Sequence, residues 1–403
     1  MLSKVPAQHS NQRRFNPLTT QSTPPTAISQ AALHIPTTAE VKAAIPAHCF
    51  ERKFSTSLKH AAISVALTVG IGLLALTFIP LTWVWLPVWL LYGYVNGTVA
   101  VGVWVAAHEC GHRAFAPSLK AQDTVGFILH SALLVPYFSW QRSHAIHHGK
   151  TNHLTEGETH VPKMIDTAKG DRAMKANKRF GPKIHGAFTI VSRLGIGWPL
   201  YLLIGATGGS IRGITNHFWP ARPFSDALFP NRWKAKVRWS ALGVLVTVGL
   251  LVWWAMATSV AQVLAVYVLP YMVVNAWLVT YTWLQHTDHD VPHYDEDEWS
   301  FIRGAFCSVD RPYGPIVDFL HHRIGTTHVA HHLDAKIPHY HAREATEAIK
   351  KAFPDLYRYN PAPIRWALWD VAKNCHVVAP SKDGWMFTTG DSPKVSKNLE
   401  QAA

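Results

Sequence analysis

Two stretches of this chain, Ala61–Ala107 and Trp239–Gln285, contain no Lys, Arg, Asp or Glu. A helix crossing hydrocarbon needs about 20 apolar residues, so each stretch holds two crossings and a tight turn. Breaks at Pro80-Leu81 and near Thr258-Ser259 divide them into spans at about 61–79, 82–107, 239–256 and 260–284. A helical hairpin of a soluble protein would keep a charged face, and neither stretch has one. The pattern predicts an all-α integral membrane protein with four transmembrane helices in two hairpins. At about 1.5 Å per residue, the span from Thr82 to Ala107 outlasts a hydrocarbon layer roughly 30 Å thick. That helix should carry the residues that follow it just beyond the bilayer.

The remaining pattern gives the boundaries. Residues 1–38, rich in Thr, Ala and Pro from Thr19 onward, read as a disordered tail. Residues 39–60 form an amphipathic lead-in, 61–351 the membrane domain, and 352–403 a C-terminal cytosolic tail. Val125–Trp140 is apolar but short, and His130 and Pro136 interrupt it, so an interfacial or re-entrant helix is expected. Phe188–Ala206 is longer but contains Arg193 and Pro199. A further helix is expected at about Ala342–Lys351.

Charge sets the orientation. Charged residues are 16% of the 403, against roughly a quarter in soluble domains. The formal net charge is +13, and basic residues flank the hairpins: Arg52, Lys53 and Lys59, then Arg113 and Lys120, then Arg222, Arg232, Lys234, Lys236 and Arg238. Such a balance can mean nucleic-acid binding. Basic charge beside spans, with none at the hairpin tips, instead marks cytosolic loops. The tips are therefore placed across the membrane and both termini in the cytosol, facing anionic lipid, with no nucleic-acid partner. Trp83, Trp85, Trp253 and Trp254 fall near the tips as an aromatic belt would. Cys49, Cys110, Cys307 and Cys375 lack paired spacing and fall on the cytosolic side, so free thiols are expected.

Histidine supplies the candidate chemistry. Three clusters adjoin the apolar runs: HECGH (His108, His112), HAIHH (His144, His147, His148) and HVAHH (His328, His331, His332). Neutral imidazole is a common transition-metal ligand. His108 and His112 are four apart, hence on one helical face. In HAIHH the three rings lie on one side of a turn, while the adjacent pair diverges by about 100°. His147 and His148 can thus reach different ions, with His144 backing one of them, and HVAHH repeats the geometry. Eight donors exceed the about four to six that one ion takes, so two ions are expected. Zinc would serve hydrolysis or transport, and iron would activate dioxygen; the pattern leaves the metal open. A shared site needs all three clusters on one side of the membrane. A fifth crossing at Phe188–Ala206 would separate them, so that segment is assigned to the interface. The expected architecture is completed by interfacial helices and a cytosolic histidine-rich cap.

At these residues the chain resembles the membrane fatty acid desaturases. The resemblance runs from about Pro46 to Lys351. It is carried, in order, by IPAHCFERK, AHECGHRAF, LLVPYFSWQRSHAIHH, GETHVP, GWPLYL, YTWLQHT, HHRIGTTHVAHHL and IPHYHAREAT. Within the family the chain is most similar to the acyl-lipid delta-12 (oleate) branch. The glutamate of HECGH favours that branch over omega-3 members, while HAIHHGKTNHL departs from the arginine-rich middle box of plant members. The resemblance implies two non-haem iron ions and dioxygen as co-substrate. It implies an acyl chain in phospholipid such as phosphatidylcholine, electrons from cytochrome b5 and its reductase, and residence in the endoplasmic reticulum membrane. The chain has no HPGG haem-binding motif, so a separate electron donor is expected. The implied metal ligands are His108, His112, His144, His147, His148, His328, His331 and His332. One more is implied at the cytosolic end of the last span, where His286 is the match and His289 a weaker one. His153, His160, His321, His322, His339 and His341 are expected behind the ligands or at the surface. Glu109, Asp288 and Asp310 are candidates to orient imidazoles from behind. Trp104, Tyr137, Phe138 and Trp283 are candidates to wall an acyl tunnel.

The expected reaction inserts a cis double bond at delta-12 of an oleoyl chain to give linoleoyl. An omega-3 desaturase, an acyl hydroxylase or an acetylenase would use the same scaffold. A histidine-rich metal transporter would need polar ligands midway through the spans, where the chain offers little beyond Asn96 and Asn275. A membrane-anchored zinc hydrolase would need a carboxylate base, for which Glu109 is available.

Overall fold

The computed structural model describes residues 34–389, so the tail expected over 1–38 lies almost wholly outside the described residues. The chain is mostly helical. Helix α1 (Thr38–Ala44) opens on a reciprocal cap, in which the Thr37 hydroxyl accepts from the Glu40 N–H and the Glu40 carboxylate accepts from the Thr37 N–H. Helices α2 (Phe54–Phe78) and α3 (Leu86–His112) form the first hairpin. Pro87 stands in the first turn of α3, where its missing N–H is tolerated. From there α3 runs unbroken through HECGH and stops at Arg113, whose left-handed backbone (φ 64°) ends it. α3 is the central helix, buried continuously from Asn96 to Cys110, whereas α2 turns Leu73, Leu74 and Phe78 outward.

The single element expected over Val125–Trp140 is two helices, α4 (Leu119–Ala132) and α5 (Tyr137–Gly149). Pro136 cannot continue a helix and pushes the residue before it out of the helical region. Leu134 completes the break in a left-handed turn (φ 55°). Helix α6 (Ala168–Ile204) kinks at Gly181 (φ 76°) and Pro182.

The second hairpin joins α7 (Lys234–Ala257) to α8 (Val260–Val263) and α9 (Leu269–Leu284). It turns at Thr258 and Ser259, as expected, and the Ser259 hydroxyl caps α8. Between α8 and α9 the chain makes a π-helical turn, Leu264–Val268, just before Pro270. Proline has no N–H to give the carbonyl four residues back. The Tyr92 hydroxyl from α3 donates to that carbonyl, Val266, at 2.8 Å, so the freed group is satisfied inside an apolar region. α3 and α9 pack closely. A Cβ on Gly97 would stand 2.5 Å from the Pro270 oxygen, and one on Gly93 would stand 2.8 Å from Leu269 Cβ. Glycine is what permits this approach.

Among the described residues, five helices are long and apolar enough to cross a membrane: Phe54–Phe78, Trp83–His112, Ala168–Ile204, Asn231–Ala257 and Val260–Leu284. Four were expected, and the additional one is α6. After α9 come the short helices α10 (Phe301–Ala305), α11 (Pro315–Leu320) and α12 (His328–Leu333), then α13 (His339–Ala352) and α14 (Ile364–Asn374). The all-α expectation misses one small element, an antiparallel hairpin of β1 (Val377–Ser381) and β2 (Gly384–Thr388), with Val377 opposite Thr388. It is stitched to distant loops. Val378 N–H donates to the Lys163 carbonyl (2.8 Å), and Trp385 N–H to that of His293 (2.8 Å). All four cysteines are free and buried.

Candidate metal centre

Each histidine cluster rides on the end or start of a helix. HECGH closes α3, HAIHH lies in the second half of α5, and HVAHH makes up most of α12. The segment 285–288 after α9 brings in His286. α12 is aimed by Asp310, whose Oδ1 accepts from the Val329 N–H (2.9 Å) and whose Oδ2 accepts from the Tyr357 hydroxyl (2.6 Å).

The nine imidazoles converge in two groups. In one, the candidate donor atoms of His108, His112, His144, His148 and His331 all lie within 4.8 Å of one another. The Nε2 separations are 3.0 Å between His108 and His144, 3.2 Å between His108 and His112, and 3.3 Å between His144 and His148. In the other, His286 Nε2 is 3.1 Å from Nε2 of both His147 and His328, and His332 joins them. The adjacent pairs divide between the groups: His148 and His331 face the first, His147 and His332 the second. His148 also touches the second, its ring stacked on His332 at 4.0 Å.

This donor set fits metal. A nitrogen sits roughly 2.0–2.1 Å from such an ion, so two nitrogens on one ion stand roughly 3.0–3.4 Å apart, matching the observed separations. Hydrogen bonding at the backs of the rings fixes which nitrogens carry lone pairs. His147 Nδ1–H donates to the Glu158 carbonyl (2.9 Å). The Thr151 hydroxyl gives its proton to the His147 carbonyl (2.7 Å), leaving its oxygen to accept from His332 Nδ1–H (3.0 Å). His331 Nε2 and His332 Nε2 are buried without a hydrogen-bond partner. Burial lowers His147 to about 4 and His331 to about 3, and pushes His144, His148, His286, His328 and His332 well down. These rings are neutral at pH 7, as ligation requires.

Other expected residues fall differently. His289 lies at the surface, its Nε2 2.7 Å from Asp370. Glu109 holds His339 Nδ1 (2.7 Å), Asp288 binds Arg311 (2.7 Å), and Asp310 binds α12 backbone, so none of the three carboxylates backs one of the nine rings. The backing groups are the Glu158 carbonyl and Thr151, which sequence reasoning missed. Thr151 stands four residues after His147, and that spacing was the available signal. Trp104 lies 5.2 Å from His108, centroid to centroid. Trp283 packs among Leu284, Ala367 and Val371 instead. Trp140, four residues before His144 and also missed, stacks on that ring at 4.6 Å. Tyr137 donates to Asp123 (3.0 Å), and Phe138 packs beside it. His160 bonds Thr282 (3.0 Å), His153 bonds Glu296 (2.9 Å) and His321 bonds Tyr281 (2.6 Å).

Long helices apolar enough to cross a membrane, together with two buried groups of imidazoles spaced to hold metal, define the class of this helical protein. Residues 47–362 match the fatty acid desaturase family. The delta(12) fatty acid desaturase of Mortierella alpina is 40% identical over 364 residues, covering 86% of this chain and 89% of the relative. The oleoyl-12-hydroxylase of Ricinus communis is 39% identical over 351 residues, covering 86% and 87%. A Brassica juncea protein named omega-6 fatty acid desaturase, endoplasmic reticulum, is 39% identical over 355 residues, covering 86% and 89%. The chain belongs to the fatty acid desaturase family and is an oxidoreductase.

Proposed function

We propose that this enzyme inserts a cis double bond at delta-12 of oleoyl chains in phospholipid, phosphatidylcholine first, to give linoleoyl. Two irons would be held by His108, His112, His144, His148 and His331 on one side, and by His147, His286, His328 and His332 on the other. Bound there, the pair supplies the oxidant, from dioxygen and two electrons, that takes two hydrogens from neighbouring methylenes. Cytochrome b5 and its reductase are the proposed electron source. The chain's own work is placement. Trp104 and Trp140 flank the first cage with apolar surface, and a misplacement of about 1 Å is costly in rate. The observation that carries the reading is the convergence of nine imidazoles, from segments up to 224 residues apart (332 − 108), into two groups spaced for two ions.

The proposed setting is the endoplasmic reticulum membrane, with cages and termini cytosolic and a membrane domain at 61–351 between lead-in and C-terminal segment. Four crossings are proposed. HAIHH precedes α6 while His286 and HVAHH follow α9, yet all meet in one centre. An even number of crossings must separate them, and the hairpin of α7 and α8–α9 supplies two. α6 packs on α14 and sets Arg193 over Trp283 at the cytosolic end of α9 (4.1 Å), which supports a place at the cytosolic interface.

Expression in a yeast that makes oleate but no dienes tests the reading. Linoleate is the expected product. Ricinoleate would favour the hydroxylase outcome, which the 39% identity to the Ricinus communis enzyme keeps in play. No new fatty acid would overturn both.

A further inference from the structure

Beside the nine-histidine centre lies a smaller convergence of imidazoles. His60 comes from the second turn of α2, His322 from the turn after α11, and His339 from the first residue of α13. One donor nitrogen from each lies within 4.8 Å of the other two. Ring centroids are 4.7 Å apart for His60 and His339, 4.4 Å for His322 and His339, and 5.9 Å for His60 and His322.

Three observations point from this cluster to a ligand. Glu109 Oε2 accepts from His339 Nδ1–H at 2.7 Å, and Oε1 accepts the His339 backbone N–H. That fixes the tautomer, so His339 Nε2 carries the lone pair, and this nitrogen is buried with no hydrogen-bond partner. A carboxylate behind a ring whose far nitrogen faces other imidazoles is how metal-bound histidine is commonly held. His322 and Arg323 both sit in left-handed backbone (φ 51° and 65°). That conformation is uncommon without glycine and persists only where the surroundings enforce it. The His322 ring so held lies 4.4 Å from that of His339, and its Nε2 pairs with Ser64 Oγ at 3.0 Å, a contact a bound ion would compete with. Finally, one small cavity is lined by Val105, His108, Glu109, His322, His331 and His339, so two of the three rings, His322 and His339, adjoin the outer wall of the first cage.

We propose that His60, His322 and His339 form a third metal site, distinct from the pair, for a divalent transition ion, with zinc the best match. Three neutral nitrogens and an open fourth position, on the half-exposed side of His60, suit tetrahedral zinc with one water. Such an ion ties α2, the turn after α11 and the start of α13 together, and so braces HVAHH against HECGH. A second group, His48, Cys49, His341 and Glu344, also has donors within 4.8 Å. There His48 and Glu344 already satisfy each other at the surface (2.8 Å).

The test is metal content per chain in purified full-length enzyme equilibrated with excess zinc and washed, measured by mass spectrometry. His60→Ala is expected to hold one ion per chain fewer than the parent. His60→Cys, which restores a zinc ligand on an exposed edge, is expected to recover it, and Cys49→Ser to match the parent. In the cobalt-loaded protein, the same ion should appear as a share of the tetrahedral cobalt absorption that falls in His60→Ala and not in Cys49→Ser. Equal metal content in the parent and His60→Ala overturns the proposal. Loss in Cys49→Ser alone moves the ion to the other group and overturns it too.

Discussion

At the scale of residues, the centre depends on neighbours that part company. His147 and His148, and again His331 and His332, are adjacent in sequence yet face different cages. His147→Ala and His331→Ala, one from each cage, should each abolish diene formation while the protein still reaches the membrane. Lipid profiling beside an immunoblot of the membrane fraction checks this, and diene from either variant removes that histidine from the ligand set. The loop behind His147 rests on a buried ion pair. Glu158 is 2% exposed and is held by Arg212 (3.1 Å) and the Tyr201 hydroxyl (3.1 Å). Arg212→Ala strands a buried carboxylate, which costs roughly 3–5 kcal/mol, and should appear as a lowered thermal midpoint in detergent. The three boxes and His286 could be picked out because ligand spacing is a local property of a helix or resemblance marks it. Behind the rings, Thr151 carried a signal in its spacing from His147 but the Glu158 carbonyl carried none, and Glu109, Asp288 and Asp310 find their partners only through tertiary contacts, at His339, Arg311 and the Val329 backbone.

At the scale of elements, close approach does what charge cannot do in an apolar setting. Gly97→Ala should push α3 from α9, because its new Cβ meets backbone at 2.5 Å. Overpacking of this kind costs about 1–3 kcal/mol. Gly249→Ala on α7, with nothing within 4 Å, should be near neutral, and comparing the two melting curves in detergent separates packing from helix propensity. The hairpins were legible because an absence of charge over two helix lengths has few other meanings. The split between α4 and α5 was foreshadowed by Pro136 but read as one interrupted helix. The β-hairpin was not legible: Pro380 sits in its first strand, its second strand is half-exposed throughout, and its partners are the far loops at Lys163 and His293.

At the scale of the whole molecule, an even number of crossings puts the hairpin tips on one side of the membrane and the histidine clusters on the other. Glycosylation acceptors inserted at 82–85 or 258–259 should be modified in microsomes, and one appended after residue 389 should not; a glycosylated C-terminal site would break the proposed sidedness. The C-terminal hairpin should also matter to the centre, because it clamps the loops at Lys163 and His293 that flank His147 and His286. Truncation after Asn374 should therefore lower metal content, measured on the purified protein. Nine lone pairs are gathered in two small volumes by neutral rings, and without cations they repel one another. Each bound ion stabilises the folded chain by mass action, about 2.7 kcal/mol when free metal is a hundredfold above its Kd. With iron as the proposed occupant, cells starved of it should thus degrade this polypeptide faster, a decay visible after translation is blocked, and the fluidity of their lipids would track a mineral nutrient through the lifespan of one protein.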